Sequence, residues 1–125
     1  MKKIELIVAL AYTLALAYFS LVPVPKEVSS TVKVSDIIQH FAAYFTLTFL
    51  WYIFWRKVKY SSILSLVVGA LTELAQSAVP YRVFSLADLA ANTAGVVVST
   101  LLIVGIKHCL NTFKNRVSET VFKLK

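Results

Sequence analysis

The chain has 125 residues, of which 58% are hydrophobic and only 15% are charged. A soluble domain is on average about half apolar and a quarter charged, so this composition excludes an ordinary soluble fold and indicates that the solvent is a lipid bilayer. The formal net charge is +7, but the basic residues cluster between and after apolar runs, which suits lipid headgroups and not nucleic acid.

The first apolar run, residues 4–22, predicts a membrane-spanning helix. It follows Lys2 and Lys3, and it is long enough for a bilayer core that needs about 20 helical residues. A cleaved signal peptide is the alternative, because Ala15-Leu16-Ala17 fits a cleavage site. The run stays apolar beyond that site and ends only at Pro23, which favours a helix that is retained.

The second predicted helix, residues 36–55, has a polar stripe on an apolar background. Asp36, His40 and Tyr44 recur every fourth residue and therefore lie on one face. A charge in the middle of a membrane helix costs about 2.5 to 3.5 kcal/mol, so the stripe needs polar partners. The end of this helix has the aromatic and basic residues of a membrane interface: Trp51, Tyr52, Trp55, Arg56, Lys57 and Lys59.

Two further helices are predicted, over residues 63–79 and 86–106. The first of them has Gly69, Thr72, Glu73 and Gln76 in one arc and ends before Pro80, which cannot continue a helix. The second has Asp88 and Asn92 near its start, four residues apart. It also has small residues at every fourth position, a pattern that lets helices approach closely in lipid: Ala87, Ala91, Gly95 and Ser99.

The sequence therefore predicts an all-α membrane protein, with a four-helix membrane domain over residues 1–106 and a basic tail over 107–125. Apolar residues recur at helical spacing in the tail. The tail can lie along the membrane as an amphipathic helix, and a free cationic tail is the alternative. Cys109 is the single cysteine, which excludes an internal disulfide.

The positive-inside rule predicts that both ends of the bundle are cytoplasmic. This orientation leaves only Lys26, Lys33 and Arg82 of the thirteen basic residues outside. The other ten lie inside: Lys2, Lys3, Arg56, Lys57, Lys59, Lys107, Lys114, Arg116, Lys123 and Lys125.

This topology brings the polar groups of three helices to a similar depth, in the outer half of the membrane. We expect one polar pocket there, facing the extracytoplasmic side of the plasma membrane, because buried charges must satisfy each other. The candidate catalytic residues are Asp36, His40 and Glu73. The candidate substrate-binding residues are Tyr44, Gln76, Arg82, Asp88 and Asn92.

Each of these residues also has a structural interpretation. Asp36 can favour a helix dipole, and Asp88 fits a capping box that begins at Ser85. Gln76 and Asn92 can join helices by hydrogen bonds. Glu73 is harder to explain, because no helix terminus needs it and an unpaired carboxylate at that depth is costly.

An ordered set of residues resembles the VanZ-like membrane proteins: Asp36, His40, Phe41, Tyr44, Glu73, Gln76, Arg82, Asp88, Asn92 and Gly95. The resemblance covers roughly residues 35–99. It implies a small multi-helix membrane protein, and the namesake of the family is associated with low-level resistance to the glycopeptide teicoplanin.

Two functions from different classes follow. The first is a site that binds or processes an amphipathic envelope molecule, such as a lipid-linked cell-wall intermediate or a lipoglycopeptide. In it Arg82 pairs with an anionic group, and His40, oriented by Asp36 or Glu73, is the general base. The second is a membrane scaffold whose polar cluster is a structural ion-pair network.

Proton transport is disfavoured, because the inner half of the bundle offers almost no polar path. The chain has no nucleophile elbow and no P-loop, and His40, Glu73 and Asp88 lack a diagnostic metal-ligand spacing. No cofactor and no metal are therefore predicted. The oligomeric state and the question of whether a bond is broken stay open.

Overall fold

The computed structural model describes residues 2–22, 32–80 and 84–123. Within these ranges the chain forms four α-helices and no strand: α1 (Lys2–Leu21), α2 (Val32–Trp55), α3 (Val58–Ser77) and α4 (Leu86–Lys123). Each helix is long and apolar enough to cross a membrane. The predicted all-α membrane fold with four spanning helices is thus confirmed over the described residues. The cytoplasmic orientation of both ends stays a prediction.

The connection between α2 and α3 is shorter than the sequence predicted. Residues 59–62 were expected to lie in a loop, but α3 already begins at Val58. Arg56 has a φ of 56° and so adopts the left-handed conformation, which reverses the chain within two residues. The hydroxyl groups of Ser61 and Ser62 donate hydrogen bonds to the carbonyl oxygens of Lys57 and Val58, which explains how polar residues fit the first turns of a membrane helix.

Helix α2 packs against the other three helices. Its contact with α1 includes two polar bonds: Tyr12 donates its hydroxyl proton to the Ala43 carbonyl at 3.1 Å, and the Trp51 indole donates to Thr13 Oγ1 at 3.1 Å. A buried apolar cluster lies beside these bonds and joins three helices: Ala9, Tyr44, Leu47, Trp51 and Val96.

The α2 and α4 backbones are in direct contact at Gly95. A Cβ atom at this position would lie 2.3 Å from the Phe41 carbonyl oxygen and 3.0 Å from the Phe45 nitrogen, so only glycine fits. Ala91 and Ser99, one turn to either side, are also buried. Ala87 is exposed, so the predicted small-residue stripe packs over three of its four positions.

Helix α4 continues well beyond the predicted end at residue 106. Its 38 residues run from Leu86 to Lys123, a length of about 57 Å at 1.5 Å per residue. The hydrocarbon core of a bilayer is about 30 Å thick, so α4 extends past it. No glycine or proline follows Gly105 to stop the helix. The described part of the predicted tail is therefore helical and continuous with α4, and every side chain from 104 to 123 is exposed.

Candidate functional site

Polar side chains from α2, α3 and α4 lie at the end of the bundle where α1 and α3 end and α4 begins. We call this set the polar cluster; it consists of His40, Glu73, Gln76, Asp88 and Asn92. Direct contacts join His40 to Asp88 and Asn92, whereas Glu73 and Gln76 bond to backbone groups of Ser85 and Ser20. The pocket expected between these side chains stays a prediction.

His40 has two partners, both on α4. Its Nδ1 lies 2.9 Å from Asn92 Oδ1, and its Nε2 lies 3.9 Å from Asp88 Oδ2. A carbonyl oxygen only accepts hydrogen bonds, so with Asn92 in this orientation Nδ1 carries the proton. Nε2 then has a free lone pair in the neutral ring. The sequence predicted that Asp36 or Glu73 orients His40, whereas the structure places Asn92 and Asp88 against the ring.

Asp88 lies in the first turn of α4, as the capping-box pattern predicted. Its backbone N–H donates to Ser85 Oγ at 3.2 Å, which is one half of such a box. In the other half, the Asp88 carboxylate would accept the Ser85 N–H. Glu73 Oε1 on α3 takes that N–H instead, at 2.7 Å. The Asp88 carboxylate is thereby left free to face His40.

Glu73 is almost completely buried, with 1% of its surface exposed. Through Ser85 it joins the last turns of α3 to the start of α4. Its second oxygen, Oε2, has no hydrogen-bond partner among the described residues. A carboxylate at Oε2 lacks a donor, and a protonated carboxyl group there lacks an acceptor. In either state no described residue pairs this buried atom, and an unpaired buried polar atom costs about 1 to 3 kcal/mol or more.

Asn92 has a similar unpaired atom. Its side chain is 3% exposed; Oδ1 faces His40, while Nδ2 has no acceptor in the described part of the chain. The methylene of Asn92 also lies near α3, since a Cβ atom on Gly69 would be 3.5 Å from Asn92 Cβ. Counting partners in residues 2–22, 32–80 and 84–123, the cluster therefore holds one unpaired amide donor and one unpaired carboxyl oxygen.

Gln76 and Tyr44 bind other parts of the bundle. Gln76 Nε2 donates to the Ser20 carbonyl at 2.7 Å, which joins α3 to the end of α1. Tyr44 is 1% exposed, and its hydroxyl contacts Thr72 Oγ1. Thr72 donates its own proton to α3 carbonyl oxygens, so Tyr44 is the donor in that contact. Both residues thus join helices, as the structural interpretation of Gln76 predicted.

Besides Tyr44, two predicted site residues are not members of the polar cluster. Asp36, one turn before His40, is half-buried, and neither a hydrogen bond nor an ion pair joins it to any described residue. Arg82 lies outside the described residues.

Two residues that bond to Glu73 and Gln76, Ser85 and Ser20, were not predicted as site residues. Ser85 was expected only as a helix cap, and its N–H bond to Glu73 depends on how the chain returns from α3 to α4. Ser20 contributes a backbone carbonyl, for which no side-chain pattern exists. Thr72, by contrast, lay in the polar arc that the sequence placed on one face of the third helix.

The arrangement suits hydrogen bonding and proton exchange with a ligand. The side chains of His40 and Asp88 are 17% and 23% exposed, so both remain accessible. Their facing atoms, 3.9 Å apart, are too distant for a direct hydrogen bond but close enough for one ligand oxygen or nitrogen to contact both. In the described part of the chain, no three His, Cys, Asp or Glu side chains are grouped as metal ligands.

A family model described as VanZ/LLP1 matches residues 8–108, which is most of the chain and includes the whole polar cluster. No curated protein and no solved structure matches the chain.

Proposed function

Because the chain belongs to the VanZ/LLP1 family and folds as a bundle of membrane-type helices, we propose that the polar cluster binds the polar head of an amphipathic cell-envelope molecule. The observation that carries the proposal is the buried carboxyl group of Glu73, whose Oε2 has no partner among the residues that the structure describes. Buried polar groups are nearly always hydrogen-bonded in proteins, so an unpaired one within a polar cluster is a natural ligand contact.

The chemistry of the cluster favours a ligand rich in hydroxyl or amino groups. His40 Nε2, with Nδ1 protonated, and the Asp88 carboxylate accept hydrogen bonds, and Glu73 Oε2 accepts one when its carboxyl group is ionised. Asn92 Nδ2 offers a donor for a ligand carbonyl or hydroxyl oxygen. Sugar and peptide headgroups of lipid-linked cell-wall intermediates carry these groups, as do lipoglycopeptides such as teicoplanin. We therefore link the site to the handling of such molecules, and through them to glycopeptide resistance.

His40 is the residue best placed to move a proton. With Nδ1 hydrogen-bonded to Asn92, its Nε2 is the basic atom, and the nearby Asp88 carboxylate stabilises the imidazolium that forms when Nε2 takes a proton. Arg82 follows α3 in sequence and precedes α4, so it is the candidate partner for an anionic group of the ligand. In this proposal the cluster faces the outer leaflet, which rests on the distribution of basic residues.

The test is to measure ligand retention by His40→Asn and Asp88→Asn. Asparagine at 40 keeps a donor near the Nδ1 position and removes Nε2. Native mass spectrometry of the detergent-purified protein with a lipid-linked cell-wall intermediate should show about tenfold weaker retention for each variant, which corresponds to the loss of one hydrogen bond to a charged or polar ligand group. Teicoplanin susceptibility of a host that expresses each variant should change in parallel.

Tyr44→Phe is the matched control, because Tyr44 lies one helical turn from His40 and its hydroxyl is already bonded to Thr72. This variant should retain the lipid as the wild type does. If His40→Asn and Asp88→Asn fold normally and bind the lipid as tightly as the wild type, the proposed site is wrong.

A structural role is the second candidate, and a specific observation favours it. The bonds from Glu73 to Ser85 and from Gln76 to Ser20 join three helices at one end of the bundle. In that case the protein is a membrane scaffold, and His40→Asn would lower the unfolding temperature without a selective effect on lipid retention.

A further inference from the structure

The opposite end of the bundle has a cleft of about 480 Å³, where α1 begins, α2 ends and α3 begins. Five residues line it: Lys2, Phe54, Trp55, Lys57 and Tyr60. His40 lies in the first half of α2 and Trp55 is its last residue, so this cleft is separate from the polar cluster. We call it the basic cleft.

The charged side chains that line the basic cleft are positive. Lys2 from α1 and Lys57 from the α2–α3 turn both line it, and no described acidic residue does. Glu5 lies in the same first turn of α1 as Lys2, but neither lysine forms an ion pair with a carboxylate in the described part of the chain. Two ammonium groups that share a cleft repel each other and attract an anion.

The backbone next to Lys57 adds to this attraction. Lys57 is the N-cap residue of α3 in an extended conformation, with φ −121° and ψ 103°, and no side chain caps the helix there. Among the described residues, no side-chain oxygen is hydrogen-bonded to an N–H group of the first turn of α3. The N-terminus of a helix has a partial positive charge and binds anions through these groups.

Aromatic side chains form the walls of the basic cleft. The rings of Trp55 and Tyr60 are 6.4 Å apart, and the Lys57 ammonium group lies 5.4 Å from the centre of the Tyr60 ring. Trp55 is 36% exposed. Aromatic side chains beside lysines are typical of the membrane–water interface, where the ring contacts lipid and the ammonium group stays in water.

We propose that the basic cleft binds a phosphate group, as carried by the headgroup of an anionic phospholipid at that face of the membrane. Basic pockets between membrane helices are known to bind such headgroups. The volume falls within the range of about 300 to 1,000 Å³ that small-molecule sites have, so a whole headgroup fits. The inference is independent of the polar cluster and of the function proposed for it.

The experiment compares two double variants that remove equal charge. In Lys2→Gln/Lys57→Gln both changed residues line the cleft; in the control, Lys3→Gln/Lys59→Gln, their neighbours in sequence change instead. Retention of phosphatidylglycerol by the intact protein is measured by native mass spectrometry, with phosphatidylcholine as the neutral reference. The cleft variant should retain phosphatidylglycerol about 30-fold less well, since each lysine near a membrane surface contributes about fivefold. The control should change much less.

A charge-preserving variant, Lys2→Arg/Lys57→Arg, should retain the lipid and shows that the loss is not a folding defect. An equal loss in the cleft variant and in the control would overturn the proposal, because net charge alone would then explain binding. No loss in the cleft variant would overturn it as well.

A second arm identifies the source of the phosphate, with inorganic phosphate as the probe in phosphatidylcholine nanodiscs. If phosphatidylglycerol binding depends on Lys2 and Lys57 and inorganic phosphate does not compete, the ligand is a lipid. If inorganic phosphate binds with the same lysine dependence and phosphatidylglycerol does not, the cleft takes a soluble phosphate compound.

Discussion

The two ends of the bundle are held together by different kinds of contact. At the polar cluster, side-chain hydrogen bonds join the helices, and one of them involves the buried carboxyl group of Glu73. At the opposite end, aromatic rings line the basic cleft, and hydroxyl groups bond to carbonyl oxygens of their own helix. The side-chain hydrogen bond that joins α3 to α4 in this half, between Ser62 Oγ and Thr100 Oγ1 at 2.7 Å, involves two neutral hydroxyl groups. Close packing at Gly95 lies between the two ends. At the end with the basic cleft, the helices pack without a buried ionisable group among the described residues. Packing of the helices alone therefore does not explain why the Glu73 carboxyl group is buried at the other end, despite the cost of burying it.

Gly95→Ala should have the largest effect on stability, because it disturbs the close packing of α2 against α4 that lies between the two ends. The new methyl group would meet the Phe41 carbonyl oxygen at 2.3 Å, so α2 and α4 must move apart. We expect a loss of about 3 kcal/mol in the free energy of unfolding, measured by denaturant titration in detergent.

Gly105→Ala is the control for this experiment, since a Cβ atom there meets nothing within 4 Å. It should be neutral or stabilising by up to about 1 kcal/mol through helix propensity. Equal stabilities of the two variants would show that the helices are farther apart than described.

Glu73→Leu should have the next largest effect and acts on the polar end alone. Leucine cannot accept the Ser85 N–H bond, which leaves a backbone donor unpaired. The expected loss is about 1 to 3 kcal/mol. Glu73→Gln keeps an acceptor in place and should fall within about 1 kcal/mol of the wild type in the same titration. A leucine variant more stable than the glutamine variant would mean that the Ser85 bond contributes less than burial of the polar group costs.

Ser65→Ala should have the smallest effect and acts on the other half of the bundle. The Ser65 hydroxyl is buried without a partner among the described residues, so its removal should change stability by less than about 0.5 kcal/mol or increase it slightly. Ser61→Ala is the comparison, because the equally buried Ser61 hydroxyl donates to the Lys57 carbonyl at 2.8 Å. Thermal unfolding of the two variants should rank Ser61→Ala below Ser65→Ala.

The sequence predicted the four helices because apolar runs of membrane-spanning length are a strong signal. It also predicted that His40, Asp88 and Asn92 lie near each other. A four-residue spacing places residues on one helix face, and their positions along the helices place them at a similar depth. These relations depend only on helix geometry.

Other features depend on details that residue patterns do not contain. The early start of α3 depends on the left-handed conformation of Arg56, a residue type that rarely adopts it. The Glu73 bond to Ser85 depends on a backbone N–H, which every residue except proline has. The continuation of α4 follows from the absence of a stop signal, which a search for apolar windows does not register.

Because α4 is long, a small tilt of the helix moves its far end by several ångströms. Its tightest contact, at Gly95, is near one end of the helix, and the rise from there to Lys123 is about 42 Å. A tilt of about 5° around Gly95 would move the far end by about 4 Å, while Asn92, three residues from Gly95, would hardly move. A continuous helix also rotates as one body. A turn of α4 about its axis that carries Asp88 away from His40 would therefore rotate the exposed residues 104–123 by the same angle.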